Sequence, residues 1–252
     1  MKKLYEKNEQ AFAIVWIVVY CVLQSLAYPL SKKIGIEYSA NAIFCILLTI
    51  ILFAFIRKNR LQERYGLCKS PVPAHRFLYY VPLIIIATES LWNGVAVNYS
   101  LLETFCRIAS MLCVGFLEEV IFRGFLFVSI AKENVKSAII ISSVTFGIGH
   151  LINLFNGSGM DLAANLCQIC FAIAIGFLLV TIFYRGGSLF PCIIAHSAIN
   201  TLSIFGNKTD ITIEKHIIHV LVLVFITVAY NLVLTKTLPK SQWANNNDTK
   251  DN

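Results

Sequence analysis

The stretch Leu-Glu-Glu-Val-Ile-Phe-Arg-Gly, residues 117–124, places two carboxylates and a guanidinium inside an otherwise apolar segment. A charged side chain in mid-membrane costs at least ~2.5–3.5 kcal/mol on insertion scales, so such charges need partners and indicate function. Glu119 and Arg123 are four residues apart, which puts them on one helix face and within reach of each other. On a regular helix Glu118 is rotated by about 100° from Glu119. We therefore expect Glu118 to point elsewhere and to remain available for chemistry.

The composition of the whole chain places this segment in a membrane protein. Of the 252 residues, 57% are hydrophobic and only 14% are charged, and the mean hydropathy is +0.71. Soluble domains carry about 25% charge. The net charge of +7 does not indicate nucleic-acid binding, because the basic residues lie in short loops and form no stripe with stacking aromatic residues. We expect one membrane domain, with the lipid bilayer as a partner and no nucleic acid.

Eight apolar segments predict an all-α fold, a polytopic transmembrane bundle of about eight helices. Most have nearly the ~20 residues that cross ~30 Å of hydrocarbon at ~1.5 Å per residue. Backbone groups in lipid must bond within their own segment, which makes helices the expected form. The segments run approximately over residues 11–30, 39–56, 77–97, 105–130, 137–155, 163–184, 188–205 and 216–235.

The distribution of basic residues predicts that both termini are cytoplasmic. With the N-terminus inside, fifteen Lys and Arg residues fall on the cytoplasmic side and five outside, which follows the positive-inside rule. A cleaved signal peptide is the alternative interpretation of the first segment, but Glu6 and Glu9 dilute its basic region and its apolar run is long enough to span. The predicted parts are a cytoplasmic segment, a transmembrane domain and a disordered polar cytoplasmic tail, over residues 1–10, 11–237 and 238–252.

Further polar residues lie in two other apolar segments. The fifth segment carries Phe-Gly-Ile-Gly-His over residues 146–150, and the seventh carries His196 and, four residues later, Asn200. A single His in an apolar helix is more often a packed, hydrogen-bonded residue than a functional one. Two His, an Asn and a Glu on three different helices form a constellation, which indicates a joint functional site.

These residue types suit hydrolysis by an activated water. Glu118 and His150 are candidates for the general bases that hold and deprotonate a water near neutral pH. His196 and Asn200 share a helix face and are candidate donors to the oxyanion that forms when water attacks a carbonyl. A divalent metal such as zinc, held by Glu118, His150 and His196, is the alternative, because two His and a carboxylate with an open position form a known catalytic zinc set.

Other motifs and polar residues carry weaker signals. The chain has neither the H-E-x-x-H helix of common zinc proteases nor a G-x-S-x-G nucleophile elbow. Cys167 and Cys170 form a C-x-x-C without a second pair, so core packing is expected rather than a metal site. Glu89 and Asn93 are again four residues apart, and they are expected to line the same cavity or to cap a polar interface.

Three motifs, in order along the chain, resemble those of the CPBP family of intramembrane proteases. That family includes the type II CAAX prenyl proteases and bacteriocin-processing and immunity proteins. The motifs span about residues 117–200, a third of the chain, and all three in order are quite specific. The matches are E-E-x-x-x-R at Glu118, Glu119 and Arg123, F-x-x-x-H at Phe146 to His150, and H-x-x-x-N at His196 to Asn200.

The resemblance implies a helical membrane fold with the site inside the bundle, located in a bacterial cell membrane and acting on a peptide or protein. It leaves the cofactor open, because the family has been described both as metalloproteases and as metal-independent glutamate proteases. It does not imply a prenylated substrate. It implies that Glu118 and His150 activate water. It implies that His196 and Asn200 stabilise the oxyanion and that Glu119 and Arg123 are supporting residues.

The sequence thus predicts an intramembrane endopeptidase that hydrolyses a peptide bond in a membrane-associated peptide or protein. A non-catalytic bacteriocin-immunity or scaffold protein of the same family is the alternative, because such a protein would keep the same residues. A transporter with Glu118 and the two His as a proton relay is a third class. Transporters favour broken helices or repeated halves, and no internal repeat is visible.

Overall fold

Helices make up nearly all of the regular structure of this chain. The computed structural model describes residues 1–156, 161–207 and 212–239. It is 81% helical, and within those ranges it contains no β-strand, only an isolated bridge between Val95 and Gly206. The all-α fold class predicted from the sequence is confirmed.

Most of the long helices begin at a side chain that accepts a hydrogen bond from the first turn, as isolated helix N-termini require. These capping residues are Asn8, Ser100, Asn134, Asp161 and Thr212. The α-helices are α1 Lys2–Lys7, α2 Glu9–Ile34, α3 Ser39–Lys58, α4 Val81–Ala87, α5 Leu101–Glu118, α6 Val128–Ala131, α7 Val135–Gly149, α8 Leu162–Gly186, α9 Phe190–Leu202 and α10 Ile213–Thr237. A π-helix spans Glu119–Phe127, and 3-10 helices span Ala74–Tyr80, Glu89–Leu91, His150–Leu154 and Ser203–Phe205.

Among the described residues, five helices are long and apolar enough to cross a membrane. The three other predicted segments take different forms. Segment 105–130 lies in a continuous helix made of α5, the π-helix and α6, and segment 188–205 is a shorter apolar helix. The five long helices are Glu9–Ile34, Ser39–Lys58, Val135–Leu154, Leu162–Gly186 and Ile213–Thr237.

The predicted segment 77–97 is not a single helix. Residues 78–80 have φ angles of 51°, 50° and 59°, in the left-handed region, which costs ~1–2 kcal/mol per non-glycine residue in a helix. Tertiary contacts hold this break, since the buried Tyr230 hydroxyl donates to the Phe77 carbonyl at 2.6 Å. An apolar run of suitable length therefore does not produce a regular helix here.

Ion pairs and hydrogen bonds gather several chain segments at one end of the bundle. Arg64 donates to both carboxylate oxygens of Glu9, at 2.6 and 2.7 Å, and Lys132 donates to the same carboxylate at 2.7 Å. Arg185 donates to the Leu238 carbonyl at 2.9 Å, at the end of α10. The described start and end of the chain thus lie at the same end, where the sequence predicted the cytoplasmic loops.

Other described contacts join chain segments at the opposite end of the bundle. Arg107 pairs with Glu37, which follows α2, and the Val95–Gly206 bridge joins the end of the broken segment to the end of α9. These contacts place the segment ends that they join at two opposite ends of the bundle. Which end faces the cytoplasm stays a prediction, and residues 240–252 of the predicted tail lie outside the described residues.

Candidate active site

The site lies where α5 becomes a π-helix. Glu118 is the last residue of α5, and Glu119 is the first residue of the nine-residue π-helix, all of which is buried. In a π-helix each amide bonds to the carbonyl five residues earlier, and such segments occur frequently at functional sites. A hydrophobic pattern with the α-helical period does not predict this change.

Glu119 and Arg123 form an ion pair inside the bundle. Arg123 Nη1 lies 3.1 Å from Glu119 Oε1, and both side chains are completely inaccessible to solvent. The Arg123 guanidinium also lies over the Phe146 ring, 4.1 Å from its centroid. The two predicted partners are therefore in contact, and a neutral pair of this kind avoids the cost of an uncompensated buried charge.

His196 lies between the two neighbouring glutamates. Its Nδ1 lies 2.8 Å from Glu119 Oε1, and its Nε2 lies 3.5 Å from Glu118 Oε2. Because an ionised carboxylate only accepts hydrogen bonds, Nδ1 carries the proton of the shorter contact. Glu118 lines a cavity, whereas Glu119 is buried against Arg123 and does not. Both carboxylates meet the same imidazole from its two nitrogens.

A glycine allows α9 to bring His196 this close to α5. A Cβ atom at Gly115 would lie 2.2 Å from the Ser197 Oγ and 2.7 Å from the Ser197 amide nitrogen. Real Cβ atoms do not approach other atoms so closely, so only glycine fits between these two helices. Gly115, one turn before the glutamates, thus allows α9 to pack close enough to α5 for His196 to contact them.

His150 is held at the end of α7 by its neighbours. Its Nδ1 lies 3.1 Å from the Phe146 carbonyl, which accepts the hydrogen bond and leaves Nε2 as the ring nitrogen that can take a proton. The Phe146 ring contacts both imidazoles edge-on. Its centroid lies 5.3 Å from that of His150 and 5.6 Å from that of His196. The buried Asn165 donates to the His150 carbonyl at 2.9 Å and fixes the backbone there.

One cavity of about 440 Å³ brings four of the predicted site residues together. Its wall includes Glu118, His150, His196 and Asn200. The buried Glu119–Arg123 pair does not line the cavity and contacts two residues that do, His196 and Phe146. The structure therefore divides the six predicted residues into four that line the cavity and two that are buried beside it.

The sequence did not indicate a function for two residues that contact the site, Tyr20 and Phe146. Tyr20, on α2, is buried and donates from its hydroxyl to Glu118 Oε1 at 2.7 Å. Phe146, the first residue of its motif, lies among Arg123, His150 and His196. The four-residue spacing between Phe146 and His150 is a signal for a shared helix face. Nothing in the sequence around Tyr20 indicates that it faces Glu118.

The outer part of the cavity wall is polar and aromatic. Arg107 lies between two tyrosine rings, 4.1 Å from the centroid of Tyr38 and 3.5 Å from that of Tyr99. Burial raises the pKa of the Tyr38 hydroxyl, and the nearby guanidinium partly opposes this shift. Amide side chains form much of the remaining wall, namely Gln24, Asn41, Asn153, Asn156 and Gln168.

The proposed metal ligands meet only part of what a metal site requires. The Nδ1 atoms of His150 and His196 bond to a carbonyl and a carboxylate, which is the pattern of zinc-binding histidines. Across the described ranges, however, no three His, Cys, Asp or Glu side chains converge with ligand geometry. As arranged, Glu118, His150 and His196 do not form a three-ligand site, and we derive no step through a metal.

The weaker candidates lie elsewhere. Glu89 contacts His219, with Oε1 3.2 Å from Nδ1, and neither residue lines the cavity. Asn93 is exposed. Cys167 is half-buried and Cys170 exposed, so this pair is not core packing as expected.

Comparison with known proteins supports the family resemblance. Residues 100–202 match the family model described as type II CAAX prenyl endopeptidase Rce1-like. The comparison with curated proteins found no match, and neither did the comparison with solved structures. The matched range contains all three motifs, and the five long apolar helices indicate an integral membrane protein. Over residues 100–202 this chain is therefore similar to the Rce1-like type II CAAX prenyl endopeptidases.

Proposed function

We propose that this chain is an intramembrane endopeptidase that hydrolyses a peptide bond in a membrane-associated peptide or protein. The observation that carries the proposal is the single cavity of about 440 Å³ that Glu118 shares with His150, His196 and Asn200. A base, a second base and two hydrogen-bond donors around one cavity are the parts that water attack on a carbonyl needs.

Glu118 and His150 are proposed to activate the water. The Glu118 carboxylate has one oxygen occupied by Tyr20, while the other faces His196 and the cavity. His150 presents the unprotonated Nε2, since its Nδ1 donates to a carbonyl. A water between these groups can lose its proton to either of them as it attacks the substrate carbonyl carbon.

Asn200 and His196 are proposed to stabilise the oxyanion. The Asn200 amide carries two N–H groups, and it lies one helical turn beyond His196 on the same cavity wall. His196 already donates from Nδ1 to Glu119, so it can donate to an oxyanion only from Nε2. That requires the imidazolium form, whose charge the two flanking carboxylates can balance.

Glu119 and Arg123 are proposed to act through His196 and to make no contact with substrate. The Arg123 guanidinium compensates the charge of the buried Glu119 carboxylate, and Glu119 fixes the ring orientation of His196. The proposal places both termini on the cytoplasmic side of a bacterial cell membrane, following the charge distribution of the loops.

The test uses the purified full-length protein in lipid nanodiscs. The probes are a quenched fluorescent CAAX peptide that carries a farnesyl group and the same peptide without it. We expect the wild type to cleave at least one peptide, and Glu118→Gln to reduce turnover roughly 100- to 10,000-fold, the usual contribution of a general base. Glu118→Gln should accumulate like the wild type, because a glutamine fills the same volume.

The outcomes separate the proposal from its alternatives. Cleavage by Glu118→Gln at the wild-type rate contradicts the assigned base. No cleavage of either peptide, with identical membrane peptides in cells carrying wild type and Glu118→Gln, favours the non-catalytic scaffold. Full activity of the wild type in a strong chelator contradicts a metal, whereas loss of activity that added zinc restores contradicts the metal-independent mechanism.

A further inference from the structure

A hydroxyl from outside the three motifs contacts the proposed base. Tyr20 lies on α2, 98 residues before Glu118, and its hydroxyl donates to Glu118 Oε1 at 2.7 Å. The tyrosine is 7% exposed and lines the same cavity as the four proposed site residues. Tyr20 thus brings α2 to the site, and the family match at residues 100–202 does not include α2.

We infer that Tyr20 is a positioning residue that orients the Glu118 carboxylate for water activation. The inference rests on the proposed function of Glu118. Tyr20 occupies Oε1, so the other oxygen, Oε2, is the one that faces His196 and the open part of the cavity. Tyr20 itself is not proposed to exchange a proton with water or substrate.

The glutamate needs such a restraint, because its side chain is otherwise free to turn. Three side-chain torsions separate the carboxylate from the backbone, and the last of them has broad, weakly defined minima. The contact with His196 Nε2, at 3.5 Å, is too long to fix the carboxylate alone. The rate of an oriented reaction falls steeply when the reacting group is misplaced by about 1 Å.

The position of Tyr20 is itself determined by packing rather than by the hydrogen bond. Phe12, Trp16 and Tyr20 follow one another at four-residue intervals and form a buried stripe on α2. The Phe12 ring packs on Phe125 of the π-helix, with ring centroids 5.1 Å apart. Because this stripe fixes α2 against the helix that carries Glu118, removal of the hydroxyl alone should leave α2 in place.

A purely structural role for the hydroxyl predicts a different result. In that case Tyr20→Phe would lower the accumulation or thermal stability of the protein and leave the turnover of the folded fraction unchanged. A positioning role predicts normal accumulation, a lower kcat and an unchanged KM. The two roles therefore differ in which of these quantities the substitution changes.

The experiment compares Tyr20→Phe with wild type and with Tyr230→Phe in nanodiscs, using the CAAX peptide that the wild type cleaves. Tyr230 is the matched control: its buried hydroxyl donates at 2.6 Å, but to the Phe77 carbonyl, away from the cavity. We expect Tyr20→Phe to lower kcat roughly 10- to 100-fold, the effect of losing a hydrogen bond to a charged group or to a supporting residue. Tyr230→Phe should keep the wild-type kcat.

A double-mutant cycle connects the effect to Glu118. Glu118→Asp shortens the side chain by one methylene and withdraws the carboxylate from the Tyr20 hydroxyl. Added to Glu118→Asp, Tyr20→Phe should lower kcat less than about threefold if the two residues act together. An equal loss in both backgrounds, or an unchanged kcat in Tyr20→Phe while Glu118→Gln is inactive, overturns the inference and leaves the proposed function intact. Absence of cleavage by the wild type removes the proposed function, and the inference with it.

Discussion

Two clusters of charged residues in this protein have similar compositions, but one is buried and the other is partly exposed to solvent. In each, one glutamate carboxylate lies against two basic side chains. The members of the first are almost or completely buried, whereas the side chains of the second are 20%, 34% and 47% exposed. We call them the inner cluster, Glu119, Arg123 and His196, and the rim cluster, Glu9, Arg64 and Lys132.

The difference lies in what replaces a lost partner. At the rim, water reaches the carboxylate and solvates it when an ion pair is broken, so exposed pairs contribute little. In the inner cluster no water replaces the partner, and a carboxylate without one keeps the full cost of desolvation. Equivalent substitutions in the two clusters should therefore have very unequal effects.

The largest effect on stability is expected from Arg123→Ala. It leaves Glu119 buried without its cation, which costs roughly 3–5 kcal/mol when one partner of a buried pair is removed. The variant should accumulate poorly in membranes and unfold at a lower temperature. Arg64→Ala in the rim cluster is the matched control and should change both quantities little. Equal accumulation of Arg123→Ala and wild type would show that the inner pair does not stabilise the fold.

The next effect is expected at Asn200, which lines the cavity and belongs to neither cluster. Asn200→Ala removes a proposed oxyanion donor but touches neither cluster. We expect a loss of roughly 100- to 1,000-fold in kcat, about 3–4 kcal/mol, because the lost amide no longer donates to the charge that develops in the transition state. The KM and the thermal stability should change little. Turnover and unfolding temperature of the purified variant are the measurements, and wild-type turnover would remove the oxyanion role.

A control for Asn200→Ala is available on another helix. Asn231 lies on α10 and does not line the cavity, and Asn231→Ala should therefore keep the wild-type kcat. If both asparagine variants lose turnover equally, the effect of Asn200→Ala arises from the fold and not from the oxyanion.

The inner cluster and the cavity residues beside it could be predicted from the sequence largely because polar and charged residues are unusual in apolar segments. Charged and polar residues are rare in apolar segments, so Glu118, His150 and His196 stand out one by one. The four-residue spacing between Glu119 and Arg123, which brings side chains together on an α-helix, also predicted their contact, and the contact is present in the π-helix. The presence of such residues on three separate segments also indicated one joint site, and the family resemblance implied that this site lies inside the bundle.

The remaining features depend on tertiary contacts, which no local pattern records. The π-helix at Glu119–Phe127 begins directly after Glu118, and no hydrophobic pattern in the sequence indicated it. The break at residues 78–80 occurs in an apolar run and is held by Tyr230 from α10. Tyr20 is one of several aromatic residues in an apolar helix, and its partner is 98 residues away.

A smaller effect is expected when the inner cluster is displaced rather than broken. In Gly115→Ala the new methyl group would meet the Ser197 backbone and push α9, with His196, away from Glu119. Overpacking of this kind typically costs ~1–3 kcal/mol. Unfolding temperature and kcat should both fall. The control is Gly124→Ala, where the nearest atoms lie 3.7–3.8 Å from the added Cβ, an ordinary contact distance. Equal behaviour of the two variants would contradict the close approach of α9.

The smallest effect is expected at the rim. Glu9→Gln removes the carboxylate that Arg64 and Lys132 share, and exposed pairs contribute ~0.2–1 kcal/mol each. Salt at 1 M shortens the screening length to about 3 Å, so the difference in unfolding temperature between wild type and Glu9→Gln should disappear there. The kcat should not change, because the rim cluster does not line the cavity. A loss that matches Arg123→Ala and persists in 1 M salt would mean that Glu9 is shielded from water as Glu119 is. Burial would then no longer distinguish the two clusters.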